Sequence, residues 1–179
     1  MNRLDDKVAL ITGGARGQGA AEAELFVNAG AHVVITDVLD AEGEVTAEHL
    51  GAACEFLHHD VASEDQWASV VDTIIERHGC LDVLVNNAGI QVGRPGYDQV
   101  GRRRARAVWC AGQLGPSGHH RHQHAARVRP GRARFHRDTN PDGRVASAEE
   151  VGKLVLFLAS DDSSYCSGHE FVIDGAMIA

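Results

Sequence analysis

The stretch KVALITGGARGQG, residues 7–19, decides the fold. Val8-Ala9-Leu10-Ile11 is a short, unbroken apolar run that ends in Thr12-Gly13. Such a run suits a strand of a parallel sheet covered on both faces. The glycine-rich turn Thr12-Gly13-Gly14-Ala15-Arg16-Gly17-Gln18-Gly19 comes next, and Gly17–Ala29 with Ala20, Ala21, Leu25 and Phe26 reads as a helix. Glycines at a strand-to-helix turn let the backbone approach a pyrophosphate, and the helix N-terminus offers it free N–H groups.

The pattern repeats outward from there. His32–Thr36 is a β-branched, apolar second strand ending at Asp37, about 20 residues beyond the turn. A carboxylate at that place can accept hydrogen bonds from an adenosine ribose and repels a 2′-phosphate, which favours NAD over NADP. Arg16 in the turn is the feature that keeps NADP open. Ala41–Leu50 reads as a helix, and Glu55–Leu57 as a third strand leading to Asp60. Ser63-Glu64-Asp65-Gln66 has the form of a capping box, and Trp67, Val70, Val71, Ile74 and Ile75 lie on one helical face behind it. Leu81–Val85 is a fourth strand. Ser147-Ala148-Glu149-Glu150 is a second capping box before Val151, Leu154, Val155 and Leu158, and Phe171-Val172-Ile173 is a further strand. Strands alternating with helices give right-handed βαβ units and a parallel sheet.

The composition supports one globular domain of 179 residues, 44% hydrophobic and 5% aromatic. The polar start and the brevity of the apolar runs speak against a signal peptide or a membrane span. Cys54, Cys80, Cys110 and Cys166 lack paired spacing, so reduced thiols and a cytoplasmic location are expected. Charge is uneven. The stretch 94–137 holds eleven of the fifteen arginines, five of the eleven histidines and a single acid, Asp98. The chain accordingly divides into dinucleotide-binding βα units over 1–93, an aberrant segment over 94–139 expected to be of low order, and a C-terminal helix and strand of the same domain over 140–179. Few large apolar residues stand in the middle segment to offset the entropy of ordering it.

The quoted residues together resemble the short-chain dehydrogenase/reductase family. The matching elements are Thr12-Gly13-x-x-x-Gly17-x-Gly19, Asp37, Asp60-Val61, Asn86-Asn87-Ala88-Gly89, Gly143-Arg144, Leu156–Asp162 and Phe171–Gly175. They cover residues 2–90 and 140–179, and the likeness runs closest to the branch acting on hydroxysteroids and similar ketones. The resemblance implies a Rossmann-type, doubly wound α/β fold, here truncated and carrying an irregular Arg/His-rich insert. It implies that Thr12, Gly13, Arg16, Gly17, Gln18 and Gly19 form the pyrophosphate turn and Asp37 holds the adenosine ribose. Asp60 and Val61 would meet adenine, and Asn86, Ala88 and Gly89 would line the cofactor. It also implies a small ketone or alcohol substrate, no specific nucleic acid, no membrane, and a homo-oligomer as one arrangement open to the chain.

One family element is missing. The family moves the hydroxyl proton with a Tyr-x-x-x-Lys pair and polarises the carbonyl with a serine. The chain has two tyrosines and two lysines, Tyr97, Tyr165, Lys7 and Lys153. Gly101 stands four residues after Tyr97 and His169 four after Tyr165. Tyr97 is the one candidate acid, near where the family tyrosine belongs but without its lysine. Shifting the codons after Tyr97 by one nucleotide allows a reading, TKWGVxGL, that resembles the residues downstream of the family tyrosine. Gln113–Gly118 resembles the in-frame ELGPSG, and a shifted His119–His124 approaches the next family strand. These residues read as a gene that lost its serine region and is translated partly out of frame between about Arg94 and Thr139.

Three functions compete on this basis: an NAD-dependent oxidoreductase, a dinucleotide-binding remnant without turnover, and a polyanion binder acting through the arginines. Arginine clusters attract phosphate, but a specific nucleic-acid module needs a recognition helix or an aromatic platform, and Trp109 and Phe135 stand alone. No Cys or carboxylate completes a spaced metal site around His119, His120, His122 and His124.

Overall fold

The computed structural model describes residues 3–89 and 141–176 in full and residues 107–114 and 120–128 by their backbone. The chain runs β1 (Val8–Thr12), α1 (Gly17–Asn28), β2 (His32–Asp37), α2 (Asp40–Leu50), β3 (Cys54–His58), α3 (Glu64–His78) and β4 (Val83–Val85). Then come β5 (Ala107–Leu114), β6 (His120–Val128), α4 (Ala148–Ala159) and β7 (Glu170–Val172). One seven-stranded sheet has the order β3-β2-β1-β4-β5-β6-β7. Its first four strands are parallel throughout, with Leu10 opposite Val34 on one side and Leu84 on the other.

All five residues of β1 are buried, because helices cover both faces of the sheet there. Ala9 and Ile11 join Phe26, Ile35, Val151, Val155 and Leu158 on the face of α1, α2 and α4. Val8 and Leu10 join Val70 and Ile74 on the face of α3. The unbroken apolar run is thus divided alternately between two cores, as a doubly covered strand requires.

The Arg/His-rich stretch supplies the strands next to β4 in the sheet. Two parts of it are regular: β5 pairs antiparallel with β4, β6 antiparallel with β5, and β7 parallel with β6. The rest of the segment expected to be irregular and of low order, Tyr97 included, lies outside the described residues. The physical reason for the pairing is that β4 has an open edge. Its N–H and C=O groups need partners whatever the side chains opposite. Val83, Leu84 and Val85 find them on Gln113, Gly112 and Ala111.

The two capping boxes also differ. At α4, Ser147 Oγ accepts from the Glu150 N–H and Glu150 Oε2 accepts from the Ser147 N–H, and Arg144 grips both Glu150 oxygens. That guanidinium, with the Ser147 N–H, holds the Glu150 carboxyl down at about 2. At α3, Ser63 accepts from Gln66 N–H, but Gln66 Oε1 turns to the Asp60 N–H at 2.7 Å. Half of that box is spent on bracing the loop after β3.

Candidate functional site

The site forms where β1, β2, β3 and β4 end side by side. The parallel register places Thr12 beside Thr36, and Asp37 beside His58. The four loops beyond these strand ends therefore open onto one crevice, the usual place for a ligand in an open parallel sheet.

Thr12 is buried at the bottom of it. Its hydroxyl accepts from the N–H groups of Asn87 at 3.1 Å and Ala88 at 3.0 Å. Asn87 Nδ2 donates in return to the carbonyls of Thr12 and Gly13, each at 2.9 Å. The turn after β1 and the turn after β4 are thereby one unit. Asn87 has no cofactor role in the sequence analysis, which assigns one to Asn86, Ala88 and Gly89. Its signal is its side chain: a carboxamide carries two donors on one nitrogen, which suits bridging two carbonyls. Asn86 and Ala88 are half-buried, and Gly89 is exposed at the end of this stretch.

Two glycines of the turn meet opposite demands. A Cβ on Gly19 would stand 2.3 Å from the Gly13 carbonyl oxygen, so α1 packs onto the turn only without one. Gly17 has φ +62° and nothing within 4 Å of a Cβ; it faces open space in a conformation that other residues adopt at a cost. Arg16 is exposed at the N-cap of α1 with no side-chain cap bond, and no acid stands in the first turn. Uncapped N–H groups at a helix N-terminus are the kind of donors that suit an anion.

Asp37 sits across from this turn. One carboxylate oxygen accepts from the Val38 and Leu39 N–H groups at 2.8 and 3.3 Å; the other accepts from the Ala15 N–H at 3.3 Å. Asp60 lies in the adjacent loop, where its Oδ1 accepts from the Ala62 N–H. The Val61 carbonyl accepts from Trp67 Nε1 at 3.0 Å, and the Val61 side chain is exposed. His59 beneath them is buried, edge-on to Trp67, with Nδ1 3.2 Å from Thr36 Oγ1. Burial pushes its pKa down, so the ring is neutral.

Gln18 turns inward and donates to Glu22 Oε1 at 3.3 Å. Glu22 is fully buried, and burial lifts its pKa to about 8, against a lowering by Gln18. Its second oxygen has no hydrogen-bond partner among the described residues. At neutral pH it is a carboxylic acid, so no charge is stranded in the core. Cys54 is also no nucleophile: burial, then Glu55, pushes its thiol up to about 12.

The residues present fit a dinucleotide at this crevice: an uncapped helix N-terminus behind a side-chain-free Gly17, and a carboxylate one strand away. Comparison with known proteins agrees. The family model for short chain dehydrogenase matches residues 7–103, and that for Enoyl-(Acyl carrier protein) reductase matches residues 120–177. The 3-alpha-(or 20-beta)-hydroxysteroid dehydrogenase of Mycobacterium tuberculosis is 33% identical over 241 residues, covering 99% of this chain and 91% of that protein. The trans-4-hydroxycyclohexanecarboxylate dehydrogenase of Sinomonas cyclohexanicum is 30% identical over 246 residues, covering 99% and 95%. Tropinone reductase-like 2 of Erythroxylum coca is 49% identical over 92 residues, covering 51% of this chain and 34% of that protein. The two long alignments exceed the 179 residues of this chain, so stretches of both relatives face gaps in it. On the crossed loops, the sheet order and these matches, the chain belongs to the short-chain dehydrogenase/reductase family, oxidoreductases that act on CH–OH groups with nicotinamide dinucleotides.

Proposed function

We propose that this chain binds NAD in preference to NADP, and that the reaction of its lineage, hydride transfer between NAD and a secondary alcohol or ketone, is largely lost in it. The observation that carries the cofactor choice is the Asp37 carboxylate, anchored by three backbone N–H groups at the end of β2 and facing the turn before α1. Fixed there, it accepts from ribose hydroxyls and repels a 2′-phosphate. The first-turn N–H groups of α1 take the pyrophosphate, Asp60 and Val61 the adenine, and Asn86, Ala88 and Gly89 the far side of the cofactor. When bound, the nicotinamide supplies or accepts a hydride.

The loss of turnover rests on the sequence. No Tyr-x-x-x-Lys pair exists in it, and Tyr97 is the single tyrosine near the family position. A tyrosine near its ordinary pKa of about 10 is a poor base at neutral pH. The gaps in the long alignments suit a gene that lost its serine region, with a shifted frame between about Arg94 and Thr139. Likeness to hydroxysteroid and alicyclic alcohol dehydrogenases makes steroid and small ring ketones the substrates to try. Among the described residues no helix is long and apolar enough to cross a membrane. The test is a titration with both cofactors. NAD is expected to bind more tightly; NADP binding more tightly reverses the assignment.

A further inference from the structure

We infer that Thr46 is a positioning residue for the phosphate-binding turn, an inference that rests on the nucleotide-binding reading above. Thr46 lies in the middle of α2, outside every motif that points to the cofactor. A threonine within a helix commonly returns its hydroxyl to the carbonyl four residues back. Thr73 in α3 does so, donating to the Ser69 carbonyl at 2.7 Å. Thr46 does not: its hydroxyl crosses to the Ala15 carbonyl, also at 2.7 Å, 31 residues away.

The consequence lies in the peptide plane. Ala15 C=O and Arg16 N–H belong to one trans peptide and point in opposite directions. A hydroxyl that fixes the carbonyl toward α2 fixes the Arg16 N–H away from it, on the outer side of the turn just before α1. The preceding peptides are held by other elements: Gly13 C=O by Asn87, Gly14 N–H by the Thr36 carbonyl at 3.0 Å, and Ala15 N–H by Asp37. Thr46 completes the series at the last peptide before the anion-binding N–H groups. A shallow cavity of about 390 Å³ lined by Ala15, Ala41, Val45 and Thr46 opens beside this contact.

The experiment uses the full chain and three ligands, NADH, ADP and adenosine, against wild type, Thr46→Val and Thr46→Ser. Loss of one hydrogen bond is expected to weaken NADH and ADP by about 3- to 10-fold in Thr46→Val. Adenosine, which has no phosphate, is expected to bind all three proteins alike, and Thr46→Ser, which keeps the hydroxyl, to match wild type for every ligand. An equal loss for all three ligands, a loss that serine does not rescue, or no loss at all overturns the inference. Wild type that binds none of the three overturns the nucleotide reading itself, and this inference with it.

Discussion

The two parts of the sheet are built by different means. In β1, β2 and β4, side chains decide the register: Ala9, Ile11, Val33 and Ile35 alternate with Val8, Leu10 and Val34 between two helix-covered cores, and a slip by one residue would exchange them. In β5 and β6, over a stretch that reads Ala-Val-Trp-Cys-Ala-Gly-Gln-Leu and then His-Arg-His-Gln-His-Ala-Ala-Arg-Val, no apolar alternation marks a face. There the described order is the backbone pairing of β4, β5, β6 and β7. An open edge recruits a strand without a sequence written for it, whereas a ligand crevice needs side chains at fixed places. The residues assigned to the dinucleotide all fall in the first part.

The largest effect expected from this contrast concerns Glu22, which lies against Gly152 where α1 packs on α4. Its folded pKa of about 8 is above the ordinary carboxyl value, so the folded protein keeps a proton that the unfolded chain releases. Stability therefore falls as pH rises from about 4.5 to 8 and levels above that. Glu22→Gln should remove this slope and be more stable at pH 8, by an amount on the order of a few kcal/mol. Urea unfolding across pH 5–9 measures it; parallel curves for the two proteins would show that Glu22 is charged in the fold.

Gly19→Ala comes next. Its Cβ would strike the Gly13 carbonyl, so unfolding free energy should drop by about 1–3 kcal/mol. An unchanged denaturation midpoint would break the claim that this turn is rigidly seated. Asp37→Ala should narrow the gap between NAD and NADP by about tenfold or more, the worth of hydrogen bonds to a charged group. A gap that stays the same, read by parallel titrations, would move the discrimination to another residue. Ser147→Ala should cost about 1 kcal/mol and Ser63→Ala no more than that, since only the first belongs to a closed box. Equal thermal shifts well above this size would indicate that neither acts through its cap.

Legible in the sequence is whatever side-chain burial writes there. The apolar run 8–11, the periodicity behind Ser63 and the second box at Ser147 mark strands and helices to within a residue or two. The β5–β6 hairpin is not legible, because backbone pairing leaves no mark in composition. Asn87 and Thr46 escape notice for a related reason. Each works by donating to a carbonyl, and a carbonyl is present at every residue, so no second side chain signals the partnership. The half-closed box at Ser63 shows the same limit: the Ser63 N–H donates to the Asp60 carbonyl, and Gln66 Oε1 accepts from the Asp60 N–H instead, pairings that only the folded loop sets.

If the dinucleotide crevice persists while the chemistry beside it is gone, binding and turnover must part company. The direct test measures NADH binding and ketone reduction side by side, for this chain and for the same gene with its frame restored and its missing region refilled. The prediction is NADH affinity within a few-fold between the two proteins, with turnover on steroid and alicyclic ketones lower in this chain by at least about 10²–10³, the cost of removing one oxyanion stabiliser. Equal turnover would contradict the account and make Tyr97 the first residue to examine as a catalyst.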